Sequence, residues 1–152
     1  IHREVGNRRS EGIVLGNLGD LLLQQGDLEA AEPPLRAAIA IGDEISATIA
    51  GVFRGSLALL HARSGRFEIA RVLVDQGEKQ ISGVNALEMA KLSCKRTLVE
   101  ILTGDLDAAR ASLSAAEESA RALDIRPDSE LGTLLGECRD GLKGAGDARH
   151  TS

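Results

Sequence analysis

Three glycines recur at a fixed interval in this chain of 152 residues, with 39 residues from Gly26 to Gly65 and again from Gly65 to Gly104. Each glycine is followed by the same order of large and small apolar residues, since segments 25–31, 64–70 and 103–109 read QGDLEAA, SGRFEIA and TGDLDAA. A helix that stops and reverses commonly ends in a left-handed residue, which glycine adopts without steric penalty. Self-similarity at such a period is the mark of a repeat architecture. The sequence therefore predicts one helical hairpin repeated several times.

The repeat resembles the tetratricopeptide family over roughly residues 12–148. In that family the second helix carries an alanine, a large apolar residue and a small residue at set distances after the turn glycine. All three copies follow this order: Ala31, Leu35 and Ala38; Ala70, Val74 and Gly77; Ala109, Leu113 and Ala116. Small residues let two helices approach to about 8 Å, and the large ones fill the grooves beside them. The resemblance implies an all-α fold, a right-handed α-solenoid of antiparallel helix hairpins.

We expect a single tetratricopeptide-like domain over residues 1–152. Its parts are residues 1–10 as the remnant of a preceding repeat, 11–45, 46–83 and 84–126 as three repeats, and 127–152 as the first helix of a fourth repeat plus a tail. In that last part Gly146-Asp147-Ala148 repeats the turn motif. The period exceeds the family's usual length of about 34 residues. Segments 42–51 and 78–86 contain no proline, which favours longer helices over long loops. Such long units are typical of bacterial multidomain regulators.

The residues after each turn glycine predict how the second helices begin. Asp27 and Asp105 are good N-caps, whereas Arg66 is not a capping residue and predicts a weaker helix start. Pro33-Pro34 falls beyond the first helical turn, where each proline removes a backbone donor. Either the helix begins at Pro33 or it bends about Ala31.

The third copy departs most from the family pattern. Arg96-Thr97 replaces the bulky and small pair that Leu18-Gly19 and Leu57-Ala58 supply in the first two copies. Glu100 stands where the family often has tyrosine, and its charge must reach solvent or pair, with Arg96 one turn earlier as a candidate partner.

Composition narrows the class of protein. The net charge is −5, and no basic cluster exceeds Arg8-Arg9 or Lys95-Arg96, so direct nucleic-acid binding is not expected. No stretch approaches the length of a membrane-spanning segment, and no signal peptide is evident. We therefore expect no membrane partner, with a cytoplasmic location as the default.

The candidate catalytic residues are few. His61 is the one histidine inside a repeat, since His2 and His150 lie near the two ends. We expect it to pack between helices with one ring nitrogen bonded. The chain lacks the common metalloprotease, phosphate-loop and nucleophile-elbow motifs. The sequence therefore predicts a protein that is not an enzyme and takes no cofactor.

The two cysteines, Cys94 and Cys138, form no metal-binding or disulfide framework. One interpretation is that both are reduced and packed as small apolar residues. The alternative is that Cys94 faces the groove as a reactive thiol whose pKa Lys91 and Lys95 lower.

The resemblance implies that the first helices of the repeats line a concave groove, and family register assigns the residues that face it. The predicted contacts are Asn17, Asp20 and Gln24 in the first repeat, Ser56, Leu59 and Arg63 in the second, and Lys91, Lys95 and Leu98 in the third, with Ile13, Gly16, Val52, Gly55, Cys94 and Leu102 completing the lining.

Two readings of Lys91 and Lys95 stay open. They stand where chaperone-binding members of the family hold a peptide carboxylate, but Gly16, Asp20 and Ser56 leave that clamp half complete. An ordinary solvated lysine pair is the alternative.

These observations predict an interaction module or scaffold that presents its groove to a protein, as an extended peptide or a helix, within a larger regulatory protein. The alternative is a ligand-sensing regulatory segment that controls an attached ATPase, kinase or transcription regulator. Self-association through exposed terminal helices is a further expectation, since an array exposes an apolar face at each uncapped end.

Overall fold

The computed structural model describes the backbone of residues 2–151 and the side chains of residues 4–147. Over this range every regular element is an α-helix, as the repeat predicts. The helices are α1 (His2–Gln24), α2 (Leu28–Ile45), α3 (Ala47–Arg63), α4 (Phe67–Ile81), α5 (Ala86–Thr103), α6 (Leu106–Ala120) and α7 (Glu130–Thr151). They form two compact units, Ile1–Ser82 with α1 to α4 and Gly83–Ser152 with α5 to α7.

Unit 1 consists of two antiparallel hairpins, α1–α2 and α3–α4. Their turns contain Gly26 and Gly65 with φ of 83° and 80°, which confirms the left-handed conformation predicted for these glycines. A small residue lets α1 approach α2, because a Cβ atom on Gly19 would lie 2.5 Å from Cγ of Leu35. Gly51 has the same role between α3 and α4, where a Cβ atom would lie 3.0 Å from the carbonyl oxygen of Gly77.

The two hairpins of unit 1 are joined by Ser46 alone. Its backbone N–H donates to the carbonyl of Gly42 over 2.7 Å and so closes the end of α2. Its hydroxyl oxygen accepts from the backbone N–H of Ile49 over 3.3 Å and so caps the start of α3. The prediction of longer helices in place of long loops is confirmed here. It is also confirmed in the short turn between Ile81 and Ala86.

The predicted helix caps are found at both aspartates. Asp27 Oδ1 accepts from Ala30 N over 3.1 Å, and Asp105 Oδ1 accepts from Ala108 N over 3.2 Å. Arg66 makes no side-chain bond to the backbone of α4, as expected of a residue that does not cap, and the weaker start of this helix stays a prediction.

The prolines of α2 do not delay its start. The helix begins at Leu28, directly after the Asp27 cap, and contains Pro33 and Pro34 within it, so a start at Pro33 was wrong. The backbone bonds that these prolines cannot donate would have gone to the carbonyls of Glu29 and Ala30. Both residues are exposed, so water can hydrate those carbonyls. A bend about Ala31 stays a prediction.

The first helix is longer than the sequence suggested. Residues 1–10 were expected to be the remnant of a preceding repeat, and in the structure residues 2–10 are continuous with the rest of α1, which runs unbroken from His2 to Gln24. No proline interrupts this segment. The division of the chain into repeats stays a prediction.

Unit 2 has one hairpin, α5–α6, on which α7 packs. Gly104 of the turn has φ of 87°. The core of this unit combines residues from all three helices: Ala90, Cys94, Leu113, Ala116, Ala120, Leu131, Leu135 and Cys138. Leu134 and Leu142 of α7 pack against it. The Glu100 carboxylate has a hydrogen-bond partner inside the unit, since the hydroxyl of Ser112 donates to its Oε1 atom.

The turn expected at Gly146-Asp147-Ala148 is absent, because α7 continues through it to Thr151. Glycine permits a left-handed turn but does not impose one. At the three real turns the residue five positions later is an alanine that is fully buried: Ala31, Ala70 and Ala109. The residue five positions after Gly146 is Thr151. The motif thus lacks the small side chain that lets a second helix pack back.

Candidate partner-binding surface

The predicted groove residues of unit 1 divide into exposed and buried sets. On α1, Asn17 and Gln24 are exposed and Asp20 is half-buried. On α3, Ser56 and Leu59 are buried and Arg63 is exposed. Of the predicted contacts in unit 1, Ser56 and Leu59 are therefore part of the core, and the accessible ones are the polar residues of α1 and the Arg63 guanidinium.

Arg63 connects the two helices that carry these residues. Its Nη1 atom donates to the carbonyl oxygen of Leu23 over 3.1 Å. That carbonyl is in the last turn of α1 and also accepts from the backbone N–H of Gly26 over 3.0 Å, so Arg63 gives it a second bond. The bond ties α3 to the end of α1 and holds a positive charge there.

Lys91 in unit 2 is held by two carboxylates. Its Nζ atom lies 3.1 Å from Glu130 and 3.6 Å from Glu88. Burial lowers the pKa of Lys91, but its bonds to Glu130 and Glu88 outweigh this and leave the pKa raised. Lys91 is therefore charged and engaged within the protein.

Lys95 and Leu98 are less accessible than a groove requires. Lys95 is only 6% exposed, and Leu98 is partly buried against the core of unit 2. Both interpretations of the lysines need correction, since Lys95 is neither solvated nor open to a ligand carboxylate. The prediction transferred the family's groove positions to this chain one by one, and it missed the burial of Lys95 because it took no account of the residues that pack around α5.

Cys94 is a buried core residue, which corrects the prediction of a groove-facing thiol. It is fully buried, and the Cys138 thiol donates to its carbonyl oxygen over 3.3 Å. The hydrogen bond with Cys94 and burial raise the pKa of the Cys138 thiol. The cause is α7, whose Leu135 and Cys138 pack on this turn of α5. The interpretation of both cysteines as small apolar residues is confirmed.

His61 is buried and bonded through one ring nitrogen, as predicted. The Nε atom of Arg66 donates to His61 Nδ1 over 2.8 Å. Burial, together with the positive charge of Arg66, lowers the pKa of His61. The ring is therefore neutral at physiological pH, with its proton on Nε2. That atom is buried without a partner among the described residues.

The described residues give little sign of other chemistry. Between residues 4 and 147 no cluster of His, Cys, Asp or Glu side chains could hold a metal ion. In the part of the chain that the structure describes, no helix has both the length and the apolar character needed to cross a bilayer.

Comparison with known families agrees with the hairpin geometry. Residues 13–37 and 51–78 each match the family model of the tetratricopeptide repeat. The chain contains tetratricopeptide repeats. The two matches include the turns at Gly26 and Gly65, so both hairpins of unit 1 are of this type. Comparison with curated proteins and with solved structures gave no match.

Tetratricopeptide repeats generally mediate protein–protein interactions, so the exposed residues of unit 1 are the ones that matter for contact with another protein. One set of them was missed at the sequence level. Val14, Leu18 and Leu21 are exposed apolar residues of α1. They carry the same hydrophobic pattern as the core of α3, so only the structure separates the two sets.

Proposed function

We propose that this protein is a non-catalytic interaction module that binds a peptide or a helix of a partner protein on unit 1. The proposed contacts are the side chains of Asn17, Asp20 and Gln24 on α1 and of Arg63 on α3. Such a module would serve as a scaffold within a larger regulatory protein.

The Arg63 bond to the carbonyl of Leu23 is the observation that carries this proposal. It fixes a cation at the last turn of α1, at the residue before Gln24, without using all of the donors that a guanidinium offers. The remaining donors can bind a carbonyl or a carboxylate of a ligand. Asn17 and Gln24 each supply both donors and an acceptor, which suits the backbone of an extended peptide.

The chemistry of the surface argues against turnover. The ionisable side chains in this set are one carboxylate and one guanidinium, on different helices. Such a pair is unlike the convergent set of several ionisable groups that most active sites contain. Recognition by hydrogen bonds is what such a surface can do.

A random peptide library displayed on phage tests the proposal. Peptides selected on the full chain are synthesised, and their Kd is measured by isothermal titration calorimetry. The triple variant Asn17→Ala, Gln24→Ala and Arg63→Ala should bind at least about tenfold more weakly, since each lost hydrogen bond contributes about 1 kcal/mol.

Arg71→Ala is the matched control, because Arg71 is exposed on α4, outside the proposed contacts, and pairs only with Glu68 of its own helix. It should leave the Kd unchanged. Equal affinity of the wild type and the folded triple variant would show that peptides bind elsewhere.

A further inference from the structure

The connection between α6 and α7 of unit 2, residues 121–129, is the longest between helices in the described part of the chain. In unit 1, by contrast, Ser46 alone joins α2 to α3, and a Cβ atom on Gly42 would collide with the backbone of Ala50. On α7, a Cβ atom on Gly136 would meet nothing within 4 Å. Open space therefore lies beside α7 at this glycine.

A cavity of about 700 Å³ occupies this space. Its apolar part is formed by Ala120 of α6, Ile125 of the connection and Leu135 of α7. Gly136 also lines the cavity and contributes no side chain to fill it. Sites for small molecules have volumes of roughly 300–1,000 Å³, so the cavity is large enough to hold one.

The connection that forms one wall of the cavity is held against the start of α7. The hydroxyl oxygen of Ser129 accepts from the backbone N–H of Gly132 over 3.0 Å. The same hydroxyl donates to the carbonyl oxygen of Arg126 over 2.7 Å. Pro127 and Gly132 line the cavity on either side of these bonds. The wall is therefore formed before any ligand binds.

Two carboxylates of α7, those of Glu137 and Asp140, also line the cavity. They share one face of the helix with Gly136, because residues three or four apart in a helix lie on the same face. Both side chains are exposed. No ion pair or side-chain hydrogen bond joins either carboxylate to another described residue.

The positive charges of the cavity wall are already engaged by other residues. Arg139 Nη2 lies 3.3 Å from Glu117 Oε2 of α6. Arg121 Nη2 lies 2.9 Å from Glu118 Oε2. The two carboxylates of α7 are therefore the charges left to meet a ligand, and electrostatic complementarity favours a cation over an anion.

We propose that this cavity binds a small organic cation, an ammonium group carried on an apolar body. The apolar body would pack against Ala120, Ile125 and Leu135, and the ammonium group would pair with Glu137 and Asp140. The site lies in unit 2, so it is separate from the peptide-binding residues of the proposed function.

Tryptamine, phenethylamine and hexylamine are suitable probes, because each is a cation with an apolar body at neutral pH. The corresponding alcohols and carboxylates are the neutral and anionic controls. Binding to the full chain is followed by NMR titration of the backbone amide signals. We expect Kd values of about 1 mM for the amines, as is usual for molecules of this size. The alcohols should bind about fivefold more weakly, since they cannot form the two exposed ion pairs.

Two variants separate the parts of the site. Glu137→Gln combined with Asp140→Asn should weaken amine binding about fivefold and leave the Kd of the alcohols unchanged. Gly136→Leu should fill the cavity and weaken amines and alcohols alike by at least about tenfold. It should not lower the Tm, because the space beside Gly136 is open and leucine favours a helix more than glycine does.

Gly144→Leu is the matched control for Gly136→Leu. Gly144 lies on the same helix, a Cβ atom there also meets nothing within 4 Å, and the residue does not line the cavity. Every Kd should be the same in this variant as in the wild type.

Four outcomes would overturn the proposal. They are amines that cause no saturable shifts, amines that bind no more tightly than the alcohols, carboxylates that bind most tightly, and a folded Gly136→Leu protein with unchanged Kd values. Tight binding of the carboxylates would place the ligand on the arginines instead. Peptide binding through Asn17, Gln24 and Arg63 should be the same in Gly136→Leu, so this proposal and the proposed function fail separately.

Discussion

Replacing Gly16 by alanine tests how closely the hairpins of unit 1 stack. A Cβ atom at this position would lie 2.2 Å from Cζ of Phe53 and 2.3 Å from both of its Cε atoms. Carbon atoms in good contact are about 3.5–4.0 Å apart, so the deficit exceeds 1 Å. The Phe53 ring is 5% exposed and has little room to turn away. The substitution must therefore push α1 and α3 apart.

The expected magnitude is a balance of two effects. Alanine in place of glycine within a helix stabilises by up to about 1 kcal/mol. Overpacking a core costs about 1–3 kcal/mol, and a deficit of this size places Gly16→Ala in the upper half of that range. We expect a net loss of about 1–2 kcal/mol in the free energy of unfolding. Gly6→Ala on the same helix is the matched control, since a Cβ atom there meets nothing within 4 Å. It should be neutral or stabilising.

Urea unfolding followed by far-ultraviolet circular dichroism is the appropriate assay, because the chain has no Trp or Tyr to report by fluorescence. Phe53→Leu removes the ring atoms that meet the new methyl group. In that background Gly16→Ala should lose most of its penalty, which a double-mutant cycle measures. A Gly16→Ala protein as stable as the wild type, or an equal loss in both backgrounds, would refute the reasoning.

Three further predictions concern single residues. Because the pKa of His61 is lowered in the folded protein, the unfolded chain protonates this histidine first as the pH falls. The contribution of neutral His61 to the free energy of unfolding is therefore complete above the unfolded pKa of about 6.5 and is lost as the pH falls below that value. His61→Leu should remove that part of the pH dependence in urea titrations, and an unchanged pH profile would contradict it. Gly104→Ala should destabilise by about 1 kcal/mol because the φ of 87° penalises a Cβ atom, and a Tm equal to that of the wild type would argue against a left-handed residue in this turn. Cys94 and Cys138 should react with Ellman's reagent only as fast as the protein unfolds, and rapid labelling under native conditions would contradict their burial.

The features that sequence predicted well depend on neighbouring residues. The turn glycines and the Asp27 and Asp105 caps are local, because glycine conformation and capping bonds involve only a few consecutive positions. The environment of His61 was also predictable, since it faces Arg66 across the same turn. Tertiary neighbours contribute little to the turns and caps, whereas the burial of His61 depends on them.

The features that sequence missed depend on distant parts of the chain. Family register placed Cys94 in a groove, but α7 covers it with residues about forty positions later. Pro33 and Pro34 were expected to delay or bend a helix, and the delay was wrong because α2 begins directly after the Asp27 cap and buries Leu35 beyond the prolines. Likewise Val14 and Phe53, one period apart, have opposite exposure, because within the described residues the α1–α2 hairpin packs against Phe53. The repeat pattern records which positions can be buried, whereas the structure shows which of them are.

Ser46 has a consequence for how unit 1 responds to a ligand. Its backbone N–H bonds to the end of α2, and its hydroxyl oxygen caps the start of α3. Because Ser46 is the whole connection between these helices, its backbone cannot rotate without breaking one of the two bonds. Force applied by a bound peptide at α1 or α3 would therefore pass between the hairpins instead of being absorbed in a flexible connector. Unit 1 would accept or reject a ligand as one stiff body, and its selectivity would come from the shape that it already has.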